Sequence, residues 1–249
     1  MKNWRSIARG NWSTFLLPGF TLLAILITWE TVVRVAAIEK WLLPAPSVIL
    51  QALWSAKELI WQHSVQTMQE TLLGLALAVV VGVALATAID WCEGLKKAVY
   101  PLIIASQTIP IIAVAPLLII WFGYGLLPKV LVVALVCFFP ITVNLTDGYR
   151  LVEPDMLRLM SAMGASKGQI FYLVKLPAAL PFFFSGLRIA GTYSVMGAVI
   201  GEWLGASRGL GIFMTRSSQS FLTERVFAAI IVITLLSLTI FLLVEGLAS

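Results

Sequence analysis

Apolar residues fall in long runs near 14–36, 71–89, 98–120, 126–145, 180–201 and 226–246, each bounded by charged or turn-forming residues. A hydrocarbon layer about 30 Å thick needs roughly 20 such residues in a helix. Backbone polar groups inside lipid need internal partners, so runs of this length predict helices, and the short alternating segments of a barrel are missing. The pattern predicts an all-α integral membrane protein of about six transmembrane helices. It forms a single domain over residues 1–249, with its core at about 66–246. Six spans put both ends on one side.

Between the first two runs, Leu43-Pro44-Ala45-Pro46-Ser47 breaks the chain, and Val48, Leu50, Leu53, Trp54 and Ile60 then recur at helical intervals. This predicts an amphipathic helix, either at the outer interface with Trp54 and Trp61 at headgroup level or packed on the bundle. Pro101, Pro110 and Pro116 punctuate the third run and Pro140 sits late in the fourth. Each removes a backbone donor and bends its helix, which makes the third span a candidate pathway-lining helix. The other reading is that proline is simply common in membrane helices.

The longest polar connection, Thr146 to Leu180, reads as two short helices. Pro154 suits a first helical position, Asp155 complements the positive helix end, and Gly164 supplies the left-handed residue that ends the helix. Ser166 can cap a second helix from Lys167 to about Val174, which Pro177 is expected to stop. The product is a helix-turn-helix knuckle over 153–177, either a docking surface or an amphipathic hairpin resting on the inner leaflet.

Polar residues embedded in the spans are the candidate pathway set: Gln107, Asn144, Arg188, Tyr193 and Glu202. The alternative for each is an interhelical hydrogen bond worth about 0.6 kcal/mol. Arg188 stands apart, because a charge near the bilayer centre costs about 2.5–3.5 kcal/mol and needs a partner or an aqueous face. Glu202, fourteen residues on, is about 21 Å away in a straight helix and cannot be that partner. Gly186, Gly191 and Gly197, with Ala190 and Ala198, predict close helix packing in the fifth span. His63 is expected to be solvated in an outer loop. Glu202 and Arg208 are expected either to meet an extracytoplasmic partner or to be hydrated.

Composition supports the membrane reading: 60% of residues are apolar and 12% charged, against roughly 45–50% and about 25% for a soluble domain. The net charge of +5 is scattered singly, with no basic face, which argues against nucleic acid. Cys92 and Cys137 have no metal-type spacing, so no metal site is expected. Lys2, Arg5 and Arg9 before the first run outline either a secretory signal, with a weak cleavage pattern at Val35-Ala36-Ala37, or an uncleaved first helix, which the spanning length favours. With that N-terminus inside, nine Lys and Arg fall in cytoplasmic loops and seven, Lys129 among them, outside. The expected location is a bacterial inner membrane with both termini cytoplasmic.

Gly164, nine residues, then Val174-Lys175-Leu176-Pro177 resembles the cytoplasmic signature of binding-protein-dependent ATP-binding-cassette importer permeases. Leu43-Pro44-Ala45-Pro46-Ser47, Gly186-Leu187-Arg188 and Gly201-Glu202-Trp203-Leu204-Gly205-Ala206 before Gly209-Leu210-Gly211 resemble the branch handling sulfonates, taurine, nitrate, bicarbonate and vitamin precursors such as a thiamine pyrimidine or riboflavin. Where the family signature begins Glu-Ala-Ala, this chain has Arg158-Leu159-Met160.

The resemblance implies a type I importer permease bundle with a coupling helix over Leu159, Met160, Ser161, Ala162, Met163, Gly164, Ala165, Ser166, Lys167 and Gly168. It also implies two ATPase copies, a second permease copy, an extracytoplasmic solute-binding protein, a small-molecule substrate and surrounding lipid. ATP and Mg would sit on the ATPase, because no lysine here has a phosphate-loop setting. An intramembrane enzyme would need clustered acid/base or metal residues, and none are grouped in the spans. The remaining alternative is an autonomous secondary transporter or channel, which would need paired intramembrane charges or repeated broken helices.

Overall fold

The computed structural model describes residues 12–248, with side chains from residue 16 onward. Lys2, Arg5 and Arg9, which carry the expected basic N-terminus, lie outside the described residues. Every regular element among the described residues is helical. In order these are α1 (Trp12–Val35), α2 (Pro46–Ser55), α3 (Lys57–Trp91), α4 (Glu93–Ser106), α5 (Ile111–Phe122), α6 (Leu126–Arg150), α7 (Pro154–Ala162) and α8 (Lys167–Ile170). A π-helical turn (Phe171–Lys175) then joins α8 to α9 (Leu176–Trp203), followed by α10 (Leu210–Gln219) and α11 (Thr223–Ala248).

Five helical stretches, starting at Leu16, Lys57, Leu126, Lys167 and Thr223, are long and apolar enough to cross a membrane. The third apolar run is not one straight helix. It is split into α4 and α5, bent by 103° about the break that Pro110 closes, and it makes a sixth span only if the bent pair is counted as one. The stretch after Pro46 also departs from expectation. It forms α2 and then, after Ala56, the 35-residue α3, about 50 Å long and so longer than the hydrocarbon layer. Trp61 therefore belongs to α3.

The centre of the bundle is the packing of α6 on α9, with α3 and α11 against them. Val133, Cys137 and Ile141 of α6 meet Leu187, Ala190, Val195 and Ala198 of α9, Ala78 of α3 and Ile240 and Val244 of α11. In lipid the hydrophobic effect does not drive helices together, so close van der Waals fit has to. Gly186 shows the fit: a Cβ there would strike the Pro140 carbonyl, so a glycine lets the two backbones approach.

At the Lys57 end of α3, Ile49 of α2, Ile60, Leu210 and Phe213 of α10, and Ala228 and Ala229 of α11 form a second cluster. Of the two expectations for α2, packing on the bundle is the one observed, with Trp54 left exposed on its outer side. α1 is tied to α2 by Glu30, which accepts from the Ser47 N–H at 3.0 Å and its hydroxyl at 2.7 Å and pairs with Arg34 at 2.6 Å. Its apolar surface from Leu16 to Ile27 is exposed.

Candidate functional site

The knuckle follows from local chemistry. α7 opens at Pro154, and Gly164 closes the turn at φ +82, a conformation that costs other residues about 1–2 kcal/mol. Ser166 and Gln169 cap α8 reciprocally: the Gln169 N–H donates to the Ser166 hydroxyl, and the Ser166 N–H donates to the Gln169 carboxamide at 2.8 Å. No residue from Leu159 to Gly168 is buried, and Leu159 and Met163 are exposed apolar side chains at its surface.

Pro177 does not end the helix after α8. The chain passes through the π turn, where the Leu176 N–H reaches five residues back to the Phe171 carbonyl, and continues into α9 with Pro177 inside its first turn. The wider turn absorbs the missing proline donor, so knuckle and span form one continuous helical path. Phe171 is buried among Ala86, Leu145, Tyr149 and Ala179. Beside it the Lys175 ammonium contacts both Asp90 oxygens, at 2.7 and 2.9 Å. A pocket of about 370 Å³ between Asp90, Trp91, Leu157, Lys167, Phe171 and Lys175 separates the knuckle from the end of α3. Of the signature residues, Val174 is half-buried, while Leu176 and Pro177 are exposed.

A larger cleft of about 550 Å³ opens within the span region, where the α4–α5 break faces α6 and α9. Gln107, Asn144 and Tyr193 line it together, beside apolar walls from Pro110, Phe139 and Met196. Arg188 is not in this lining; it pairs with Glu245 of α11 at 3.0 Å.

Glu202 is also elsewhere. It is fully buried, which excludes the expected loop contact to an outside partner. It accepts from the Thr67 hydroxyl at 2.6 Å and from the Gly211 N–H. Thr67 accepts from the Leu210 N–H at 2.8 Å. His63 is not solvated either: it is buried, and its Nδ1 accepts from the Gly209 N–H at 2.8 Å. One turn after Thr67, Glu70 accepts from Lys129 at 2.9 Å and Gln66 at 2.8 Å. Lys129, expected among the outer loop charges, is buried in this knot. The knot fixes the start of α10 to α3 and α9. Its only signal in the sequence is the glycine-rich stretch around Gly205, Gly209 and Gly211.

Residues 78–249 match the family described as "Binding-protein-dependent transport system inner membrane component". The chain belongs to this family. The permease is 41% identical over 224 residues to the formylaminopyrimidine transport permease protein ThiX of Halalkalibacterium halodurans, covering 90% of this chain and 89% of that one. It is 34% identical to the riboflavin transport system permease protein RibX of Chloroflexus aurantiacus, covering 96% and 90%. It is 33% identical to the taurine transport system permease protein TauC of Escherichia coli, covering 91% and 84%.

Among solved structures, the fold is similar to one described as an amino acid ABC transporter with histidines, with a TM-score of 0.62 at 16% identity over 80% of this chain and 94% of that one. It is also similar to the MetNI methionine ABC transporter, with a TM-score of 0.59 at 17% identity over 83% and 99%. The permease is thus the membrane component of an ATP-binding-cassette importer, and not the ATP-hydrolysing subunit.

Proposed function

We propose that two copies of this permease enclose a path for a small solute, with two ATPase subunits on one side and an extracytoplasmic solute-binding protein on the other. Family membership and the shared fold support this assembly, as do relatives named for transport of formylaminopyrimidine, riboflavin, taurine, aliphatic sulfonates and nitrate. The solute is a sulfonate-, taurine- or nitrate-like anion, or a vitamin precursor such as a thiamine pyrimidine or riboflavin.

The knuckle over 153–177 is the coupling element, seated in the ATPase through Leu159 to Gly168. The observation that carries this reading is the continuous path from the exposed tip through the π turn into α9. A tip moved by closure of the ATPase pair would thereby move α9, the helix that carries Tyr193 on one side of the cleft. Gln107, Asn144 and Tyr193 line the transport path. The knuckle end faces the cytoplasm, with both termini on that side of the inner membrane.

Reconstitution tests the assignment. The permease in liposomes with its ATPase and binding protein is expected to accumulate solute only when ATP is supplied, and the permease alone is expected to carry none. Flux through the permease alone would identify an autonomous transporter or channel.

A further inference from the structure

We propose that the cleft between α4, α5, α6 and α9 receives an uncharged, planar nitrogen heterocycle, whose hydrogen-bonding edge is read by Gln107, Asn144 and Tyr193; this rests on the cleft being part of the transport path. The polar groups there are two carboxamides and a phenol, each able to donate and to accept. Gln107 and Tyr193 spend neither capacity on a neighbour among the described residues, and Asn144 spends only its Nδ2, on the Pro140 carbonyl at 2.8 Å. Three neutral groups thus converge on a volume of about 550 Å³ with both kinds of hydrogen-bonding capacity free. That size falls in the range of small-molecule sites.

The charge distribution separates this ligand from an anion. Among the described residues, none that lines the cleft carries a charge. Arg188, the basic residue of α9 nearest to Tyr193, is held by Glu245 on α11, and Lys129 of α6 is held by Glu70 on α3. The α4–α5 break adds partial charges of both signs, the last carbonyls of α4 and the first N–H groups of α5, so its backbone favours neither sign. A sulfonate entering here would meet no cation, and in the path that two copies would enclose, giving up its hydration without one is the costly case.

A heterocycle with ring nitrogens and amino groups loses little, because amides and a phenol replace its water contacts. Its faces meet Pro110, Phe139 and Met196, apolar and polarizable surfaces suited to a flat ring. Neutral hydrogen bonds are also weak enough to release a transported molecule.

The test is equilibrium dialysis of the purified permease–ATPase complex, without binding protein, against radiolabelled aminopyrimidine and, separately, radiolabelled ethanesulfonate. The expected result is saturable aminopyrimidine binding and no saturable ethanesulfonate binding. Asn144→Leu is expected to weaken aminopyrimidine binding about tenfold and Tyr193→Phe about threefold, each the loss of one neutral hydrogen bond. Ethanesulfonate bound as tightly as aminopyrimidine, no saturable binding of aminopyrimidine, or unchanged binding by both variants as intact complexes would overturn the proposal. ATP-driven solute uptake by the same complex with its binding protein keeps the importer reading standing if the binding result fails.

Discussion

Lys129 and Glu70 lie 2.9 Å apart with almost no access to solvent. A charge left behind when its partner is removed from such a site costs about 3–5 kcal/mol. Lys129→Met is therefore expected to lower stability by about that amount in a denaturation series on the detergent-solubilised permease, and adding Glu70→Gln is expected to restore much of the loss. Two glycines divide in the same way between strain and collision. Gly164 (φ +82) faces open space, so Gly164→Ala is expected to cost only about 1–2 kcal/mol of backbone strain. Gly209 (φ +130) would put a Cβ into the Glu202 carboxylate. Gly209→Ala is expected to lower the melting temperature clearly further than Gly164→Ala, which differential scanning in one detergent checks.

Among the elements, those shaped by neighbours in sequence were legible and those shaped by distant packing were not. Pro154, Gly164 and the Ser166–Gln169 pair act within one turn, and α7, the turn and α8 begin and end at them. The π turn was invisible because it depends on Phe171 finding a hole among α3, α6 and α9, so Pro177 read as a stop. The 103° break was visible only as prolines, whose spacing does not fix an angle. His63, Lys129 and Glu202 were misplaced because each is drawn inside by a partner far along the chain, Gly209, Glu70 and Thr67 respectively, 59 to 146 residues away. Of the pathway candidates, Gln107, Asn144 and Tyr193 share one cleft, which no sequence spacing could reveal.

The Asp90–Lys175 pair, also between distant positions, fastens α3 to the base of the knuckle. Lys175→Asp is expected to reduce solute transported per ATP hydrolysed, and Asp90→Lys in the same chain to recover part of it. Paired flux and phosphate-release assays on proteoliposomes measure that ratio.

At the scale of the whole molecule, the bundle places two sites at opposite ends of α3: the buried polar knot around Glu70 and Glu202, and the exposed knuckle beside Asp90. The cleft lies on the α6–α9 layer that joins them. Under the proposed assembly, force from ATP binding enters this layer at the knuckle. Crosslinking in intact membranes tests this most directly, with Ser161→Cys as the probe and Cys92→Ser removing the exposed native thiol. A short bifunctional thiol–amine reagent is expected to join Cys-substituted position 161 to an ATP-hydrolysing subunit, with a yield that changes when ATP is trapped. ATP-driven solute uptake with position 161 meeting only lipid or other parts of the permease would contradict a coupling role for the knuckle.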